Sequence, residues 1–375
     1  MKDNQDKINR TIRLFRLLQD ELIENIAKRL KTDNMDDYDK DKILKWQVDK
    51  MSEMHLLNAD TVKSIAEFSG KSEKQIDDLI VNDGLAVDDD ITKQLSQLTK
   101  PKPVPPVTSM LQSVVKSTVG DIANNVNSTL IPKNFGHSPV ARIYENIVSK
   151  TTSQVLAGIK TPQQALTDTV NQWVDVGVPS GFKDSAGRLH SVASYGQMLI
   201  DNTAHNTYNN VRMQRMDEFD VVTCLMSAHA ASREACAPIQ GHVVNMKPES
   251  DPRYDRHYDS IYNHDYGKAG GTMGVNCHHI FTPYIPGVSE NHLENVPKPS
   301  EAIANGKLVA KQRYYERQIR ATKQKLYNAR ILGDEASASQ LQRRLTQQRN
   351  VIRQYINKND VLHRDYRREK VYQTS

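Results

Sequence analysis

The stretch Val221-Val-Thr-Cys224-Leu-Met226-Ser227-Ala-His229-Ala-Ala-Ser-Arg233-Glu-Ala-Cys236-Ala-Pro238-Ile-Gln240-Gly241 decides the fold class. Its first six residues are β-branched or apolar, the composition of a buried strand. The residues after them are polar and broken by proline and glycine. A second block, Gly274-Val-Asn276-Cys277-His278-His279-Ile-Phe281-Thr-Pro283-Tyr284-Ile-Pro286-Gly287, repeats that mixture. From Ser227 onward the two blocks hold two of the three cysteines, together with His229, His278 and His279. Gly241, Gly274 and Gly287 are expected where a side chain would obstruct the backbone, and Pro238, Pro283 and Pro286 where a turn must be fixed. Chemistry or a compact structural node is concentrated here.

Three readings of that chemistry compete. His229, Cys236, Cys277 and His279 offer two nitrogen and two sulfur ligands, the set that tetrahedral zinc prefers. Their spacing is wider than a zinc finger, so folding rather than a local clip would have to assemble the site. A packed hydrogen-bond node, with His229 and Arg233 tying loops together, is preferred over zinc. In the third reading Cys236 or Cys277 is a nucleophile, a neighbouring His the base, and Asn276 or Gln240 an orienting group. This is the weakest, because the chain has no phosphate-cradling glycine loop, no H-E-x-x-H helix and no G-x-S-x-G elbow.

Working outward, His242-Val-Val244 reads as a second strand. Lys183–Gly187 reads as a turn between two extended pieces, and Ser191 or Ser194 as the cap of a long helix through Arg215. Thr161-Pro162-Gln163-Gln164 is a capping box that starts a helix running to about Val176. Nearer the start, Ile8, Ile12, Phe15, Leu22, Ile26 and Leu30 keep helical spacing, and a second helix is expected over Ile43–Leu57. Asp60–Phe68, stopped by Gly70, and Ser72–Val81, stopped by Gly84, read as two short helices. They would make a plain helical hairpin, or a helix-turn-helix for DNA; Glu67, Glu73, Asp77 and Asp78 would oppose phosphate and favour the former.

Pro101-Lys-Pro103-Val-Pro105-Pro106 favours a stiff extended spacer. The expected organisation is therefore a helical N-terminal region over 1–100, a Pro-rich linker at 101–106 and a mostly helical connector at 107–160. A small mixed α/β core carrying the Cys/His blocks follows at 161–290, then a basic helical C-terminal arm at 301–375. The fold class is α+β. In the arm, Leu308, Tyr315, Ile319, Leu326 and Ala329, then Leu341, Leu345, Ile352 and Ile356 after Gly333-Asp334, give the seam of a helical hairpin.

The net charge of +5 conceals an asymmetry. Residues 301–375 carry 17 Lys and Arg against 7 Asp and Glu. Such segregation points to a polyanion, an acidic partner or a solvated face. Arg343, Arg344, Arg349 and Arg353 on the second arm helix are the candidate contacts to DNA or a partner. Tyr254, Tyr258, Tyr262 and Tyr266 recur every four residues among basic side chains, a pattern that suits a protein interface better than stacking on single-stranded nucleic acid. No run approaches the ~20 apolar residues of a membrane span, and the charged start argues against a secretory signal. Three cysteines in a chain of 375 residues argue against a disulfide framework.

The pattern H-x-x-x-R-x-x-C-A-P-x-Q-G, followed by G-x-N-C-x-H and P-Y-I-P-G, resembles the phage minor capsid protein 2 family, which is related to the head-morphogenesis protein F of phage Mu. The likeness extends upstream through Leu166–Gly181, Phe182-Lys-Asp-Ser-Ala-Gly-Arg188 and Ser194-Tyr195, and downstream into the basic helices after Lys311. It implies a non-enzymatic structural protein of a tailed phage head, acting near the portal vertex. The implied partners are the portal protein, the major capsid or scaffold protein and double-stranded DNA, with no membrane and no small-molecule substrate. Besides Arg233, Pro238, Gln240 and Gly241, the matching positions are Gly274, Asn276, Pro283, Tyr284 and Gly287.

Overall fold

The computed structural model describes residues 2–131 and 138–372; Met1, residues 132–137 of the expected connector and the last three residues of the expected arm lie outside the described residues. The fold is α+β, mostly helical, with small antiparallel sheets. In chain order the helices and strands are α1 (Lys2–Leu30), α2 (Lys40–Ser52), α3 (Met54–Asp77), α4 (Asp83–Leu98), α5 (Thr108–Ile122), α6 (Ser128–Leu130), α7 (Pro139–Leu156) and α8 (Pro162–Val176). Then come β1 (Pro179–Lys183), β2 (Leu189–Ser191), α9 (Val192–Glu218), β3 (Thr223–Met226), β4 (Val243–Asn245), β5 (Phe281–Pro283), α10 (Pro299–Ile331) and α11 (Glu335–Asn357).

Local stereochemistry sets several boundaries. Thr161 caps α8, its hydroxyl accepting from the Gln164 N–H at 3.3 Å, with Pro162 in the first turn. Between β1 and β2 the Asp184 carboxylate accepts from the N–H groups of Ala186 and Arg188 at 3.0 and 2.9 Å. Ser191 accepts from the Ser194 N–H at 3.3 Å where α9 begins. Gly333, at φ 76°, ends α10, and Asp334 caps α11 through the Ser337 N–H at 2.9 Å.

The expected pair of short helices over 60–81 is not what forms. Gly70 lies inside α3, which continues to Asp77, and a single π turn over Asp78–Asn82 leads directly into α4. Gly84 is likewise inside a helix. An interior glycine costs only about 1 kcal/mol relative to alanine, and the burial of Phe68, Ile76 and Leu79 on this stretch outweighs it. Gly84 has a packing role: a Cβ there would lie 2.7 Å from a Leu111 methyl. Without a tight turn between two helices, the helix-turn-helix reading loses its structural basis.

Contacts divide the chain into two compact units. The first comprises Met1–Thr11, Lys74–Val119 and Met198–Lys311. Its centre is the sheet β4-β3-β5, with β3 paired antiparallel on both sides: Cys224 faces Val244 on one neighbour and Pro283 on the other. Proline, which has no N–H to give the ladder, occupies the end of the edge strand. The apolar core joins Cys224, Met226 and Phe281 of the sheet to Met216 and Phe219 of α9 and Leu95 of α4. Beside it Arg215, 1% exposed, forms a two-pronged ion pair with Asp88 of α4 and bonds Glu218 at 2.6 Å.

The second unit comprises Ile12–Glu73, Gly120–Gln197 and Gln312–Ser375. Phe15 of α1 meets Phe68 of α3 edge-on, with ring centroids 4.9 Å apart. At Gly196 of α9 an added Cβ would fall 2.0 Å from the Phe15 ring, so a side chain is excluded there. Within this unit α10 and α11 pack antiparallel through Ile319, Leu326 and Ala329 against Ile352, Leu345 and Ala338, closed by Tyr315 against Tyr355 at 5.3 Å.

Removing a buried ion-pair partner leaves its counter-charge stranded. Arg215→Met should therefore lower unfolding free energy by about 3 kcal/mol. Lys102→Ala removes the partner of the well-exposed Asp220, 3.4 Å away, and should cost less than about 1 kcal/mol. Denaturant melts of the two variants check the contrast.

Candidate functional site

The loop after β3 carries the first block and the approach to β5 carries the second, so the sheet register brings the two together in the first unit. Residues 233–241 form successive turns: the Arg233 carbonyl accepts from Cys236 and Ala237 N–H at 3.1 and 2.8 Å, and the Cys236 carbonyl from the Gln240 N–H at 2.9 Å. Gly241, at φ 74°, returns its N–H to the Met226 carbonyl at 2.8 Å. A Cβ on Gly274 would sit 2.0 Å from the Lys268 carbonyl oxygen, which accounts for glycine at that position. Asn276 takes a left-handed φ of 58° and donates its N–H to the Asn202 side chain at 2.8 Å.

Gln240, fully buried, is the hub. Its Oε1 accepts from the His229 N–H at 3.1 Å and its Nε2 donates to the His229 carbonyl at 3.2 Å. The same Oε1 lies 3.1 Å from His279 Nε2. The rings of His229 and His279 meet edge-on at 4.6 Å, and His229 Nε2 faces the His278 carbonyl at 3.3 Å. Arg233 binds three carbonyls, those of Ala269, Gly271 and Val275 at 3.1, 3.5 and 2.5 Å, and so fastens the turns that lead into the second block, together with its first residues. Tyr284 exchanges backbone and hydroxyl bonds with Thr223, at 3.1 and 2.6 Å. Pro238 lies within the first set of turns, and Gly287, at φ 77°, turns the chain after β5.

Of the four expected ligands, Cys236, Cys277 and His279 are buried with ligand atoms within 4.8 Å of one another. His279 Nδ1 is 3.5 Å from Cys277 Sγ, and Cys236 Sγ is 3.8 Å from Thr272 Oγ1. A hydrogen bond from Cys236, aided by His279, holds the Cys277 thiol well below its ordinary range, and the same bond together with burial pushes the Cys236 thiol up. Burial alone raises the Cys224 thiol in β3.

A second cluster went unread in the sequence. Cys277 and His279 turn to one side while His278, between them, turns to the other, the alternation of extended backbone. There His278 Nε2 meets Asp201 at 3.1 Å and the His205 ring at 4.4 Å between centroids. Asp201, His205 and His278 also place ligand atoms within 4.8 Å of one another. The only sequence signal was Asp201-x-x-x-His205, one helical turn on α9. Burial first, then His278, lowers the His205 imidazole from 6.5 to about 4.

The four tyrosines do not share one helical face, since their segment is a run of turns with a short 3-10 helix at Ile261–His264. Tyr262 and Tyr266 pair at 4.9 Å, while Tyr258 lies against Tyr284 at 6.4 Å. The every-fourth spacing therefore marks no common helical face.

Two measurements follow. The three thiols are buried, so native protein should react with iodoacetamide far more slowly than denatured protein, in which all three should label. For His205 the unfolded chain takes up its proton near 6.5 and the folded chain only near 4. Its contribution is thus intact above 6.5 and lost as pH falls toward 4. The full loss should be on the order of 3 kcal/mol. His205→Gln should flatten that part of the stability profile.

The family model of phage minor capsid protein 2 matches residues 3–357. A structural protein of Lactococcus phage LL-H is 36% identical over 363 residues, covering 96% of each chain. A structural protein of Lactococcus phage mv4 is 38% identical over 121 residues, which is 98% of that protein and 32% of this one. No solved structure matches. With the two sequence blocks folded into one node and nearly the whole chain matched, the protein belongs to the phage minor capsid protein 2 family.

Proposed function

We propose that this chain is a non-enzymatic structural component of a tailed-phage head, built in during head morphogenesis near the portal vertex, in the virion and, before that, in the host cytoplasm. Its partners on this reading are the portal protein and the major capsid or scaffold protein. The observation that carries the reading is the near full-length match to a family of minor capsid proteins. The candidate site supports it in a second way. Cys236 and Cys277, the residues a covalent mechanism would need, are 0% and 4% exposed and engaged with each other and with His279. Among the described residues, no helix is long and apolar enough to cross a membrane. Locating the protein in purified procapsids assembled with and without portal tests the placement: loss of the protein from portal-less particles is expected, and retention at every vertex would overturn it.

The basic C-terminal arm is the proposed contact to packaged double-stranded DNA. Leu345 and Ile352 of α11 face α10, which leaves Arg343, Arg344, Arg349 and Arg353 exposed. Binding by phosphate neutralisation must weaken steeply with salt, with a log–log slope of roughly −0.9 for each phosphate contacted, and without sequence preference. Changing the four arginines together to glutamine keeps helix propensity. The variant should bind duplex DNA more weakly, with a shallower salt slope. Unchanged binding would make the arm a protein-contact element instead, to be followed by co-sedimentation with portal.

A further inference from the structure

The Gln240 hub determines more than packing. The His229 N–H can only donate and the His229 carbonyl can only accept, so together they fix which end of the Gln240 amide is oxygen. That oxygen meets His279 Nε2 at 3.1 Å, and two acceptors cannot face each other. His279 therefore carries its proton on Nε2, and Nδ1 is the nitrogen turned toward the sulfurs, 3.5 Å from Cys277 Sγ. A histidine that donates one ring N–H to an amide or carboxylate oxygen and turns the other nitrogen to soft donors has the orientation of a metal ligand with its supporting partner in place. The spacing agrees. Zinc bonds of about 2.3 Å to sulfur and about 2.0–2.1 Å to nitrogen, set tetrahedrally, hold S and N about 3.5 Å apart.

We propose that Cys236, Cys277 and His279 bind one zinc ion, His279 through Nδ1, with the fourth position taken by water, and that the ion cross-links the two sequence blocks. Gln240 positions His279 and does not touch the metal. His229 is a supporting residue: its backbone orients Gln240, and its Nε2 is engaged with the His278 carbonyl at 3.3 Å. Two sulfurs and one nitrogen favour zinc over calcium or magnesium, which take oxygen ligands. Asp201, His205 and His278, on the other side of the same segment, supply the internal control.

The test is metal analysis of the full chain purified from zinc-supplemented cells, beside Cys236→Ser, Cys277→Ser, His279→Gln and the double variant Asp201→Asn/His205→Gln. Parent and double variant should each hold about one zinc, and each ligand variant roughly tenfold less. Because the ligand variants can unfold, the parent is also stripped and reloaded with cobalt(II) alone. A thiolate-to-cobalt charge-transfer band with tetrahedral visible bands is expected, and Gln240→Ala should release the ion faster while keeping that spectrum. The proposal is overturned if the parent holds no stoichiometric zinc and gives no thiolate band. It is equally overturned if the metal survives Cys277→Ser and leaves with the Asp201/His205 pair.

Discussion

A buried amide must satisfy one oxygen and two N–H groups without water, and leaving any of them unpaired costs about 1–3 kcal/mol. Gln240 finds partners for its oxygen and for its nitrogen at the meeting point of two blocks distant in sequence. Each partner it selects is itself constrained: the His229 backbone by the turn after β3, and His279 by its attachment to β5. The hub thus converts a hydrogen-bond requirement into a fixed distance between two loops. It also gives Cys236 and Cys277 their mutual contact, because both sulfurs lie on segments whose ends Gln240 has already pinned.

The sheet needs such help. Strands of three and four residues are near the lower limit for strand length, and their ladder alone cannot offset the entropy of ordering the long segment between β4 and β5. Arg233, reaching three carbonyls of that segment, compensates in place of regular secondary structure. The region between the blocks is accordingly a chain of turns held by side chains. Its tyrosines do not form one row: Tyr266 packs with Tyr262 and toward Met213, and Tyr258 lies against Tyr284.

What the sequence disclosed was whatever local stereochemistry decides. The cap at Thr161, the β-branched run that becomes β3, the turn at Asp184–Gly187 and the stop at Gly333 each depend on a few neighbouring residues. Gly70 misled because a glycine weakens a helix by less than the burial of its neighbours strengthens it. The tyrosine spacing defines no common helical face, because periodicity acquires a face only once a helix exists. Cys236, Cys277 and His279 were visible as residue types at conspicuous positions, and their convergence with Gln240 follows from the pairing of β3 with β5. The Asp201 cluster was hidden because two of its members sit on α9, among helical residues, and its third was masked by the more conspicuous cysteine and histidine on either side.

The pairing of Asp20 with the far end of the chain bears on how the molecule is made. The Tyr372 N–H lies 3.4 Å from Asp20 Oδ2, and the Arg13 guanidinium covers the Tyr372 ring at 4.4 Å. The unit containing these groups draws on stretches that begin at Ile12 and continue through Gln312 and beyond. Its closure therefore waits until residue 372 has left the ribosome, and vectorial synthesis cannot complete it piece by piece. Contacts of such long sequence separation slow folding and leave early segments exposed meanwhile. The interval between translation and closure is when its unpaired helical faces are open to other chains.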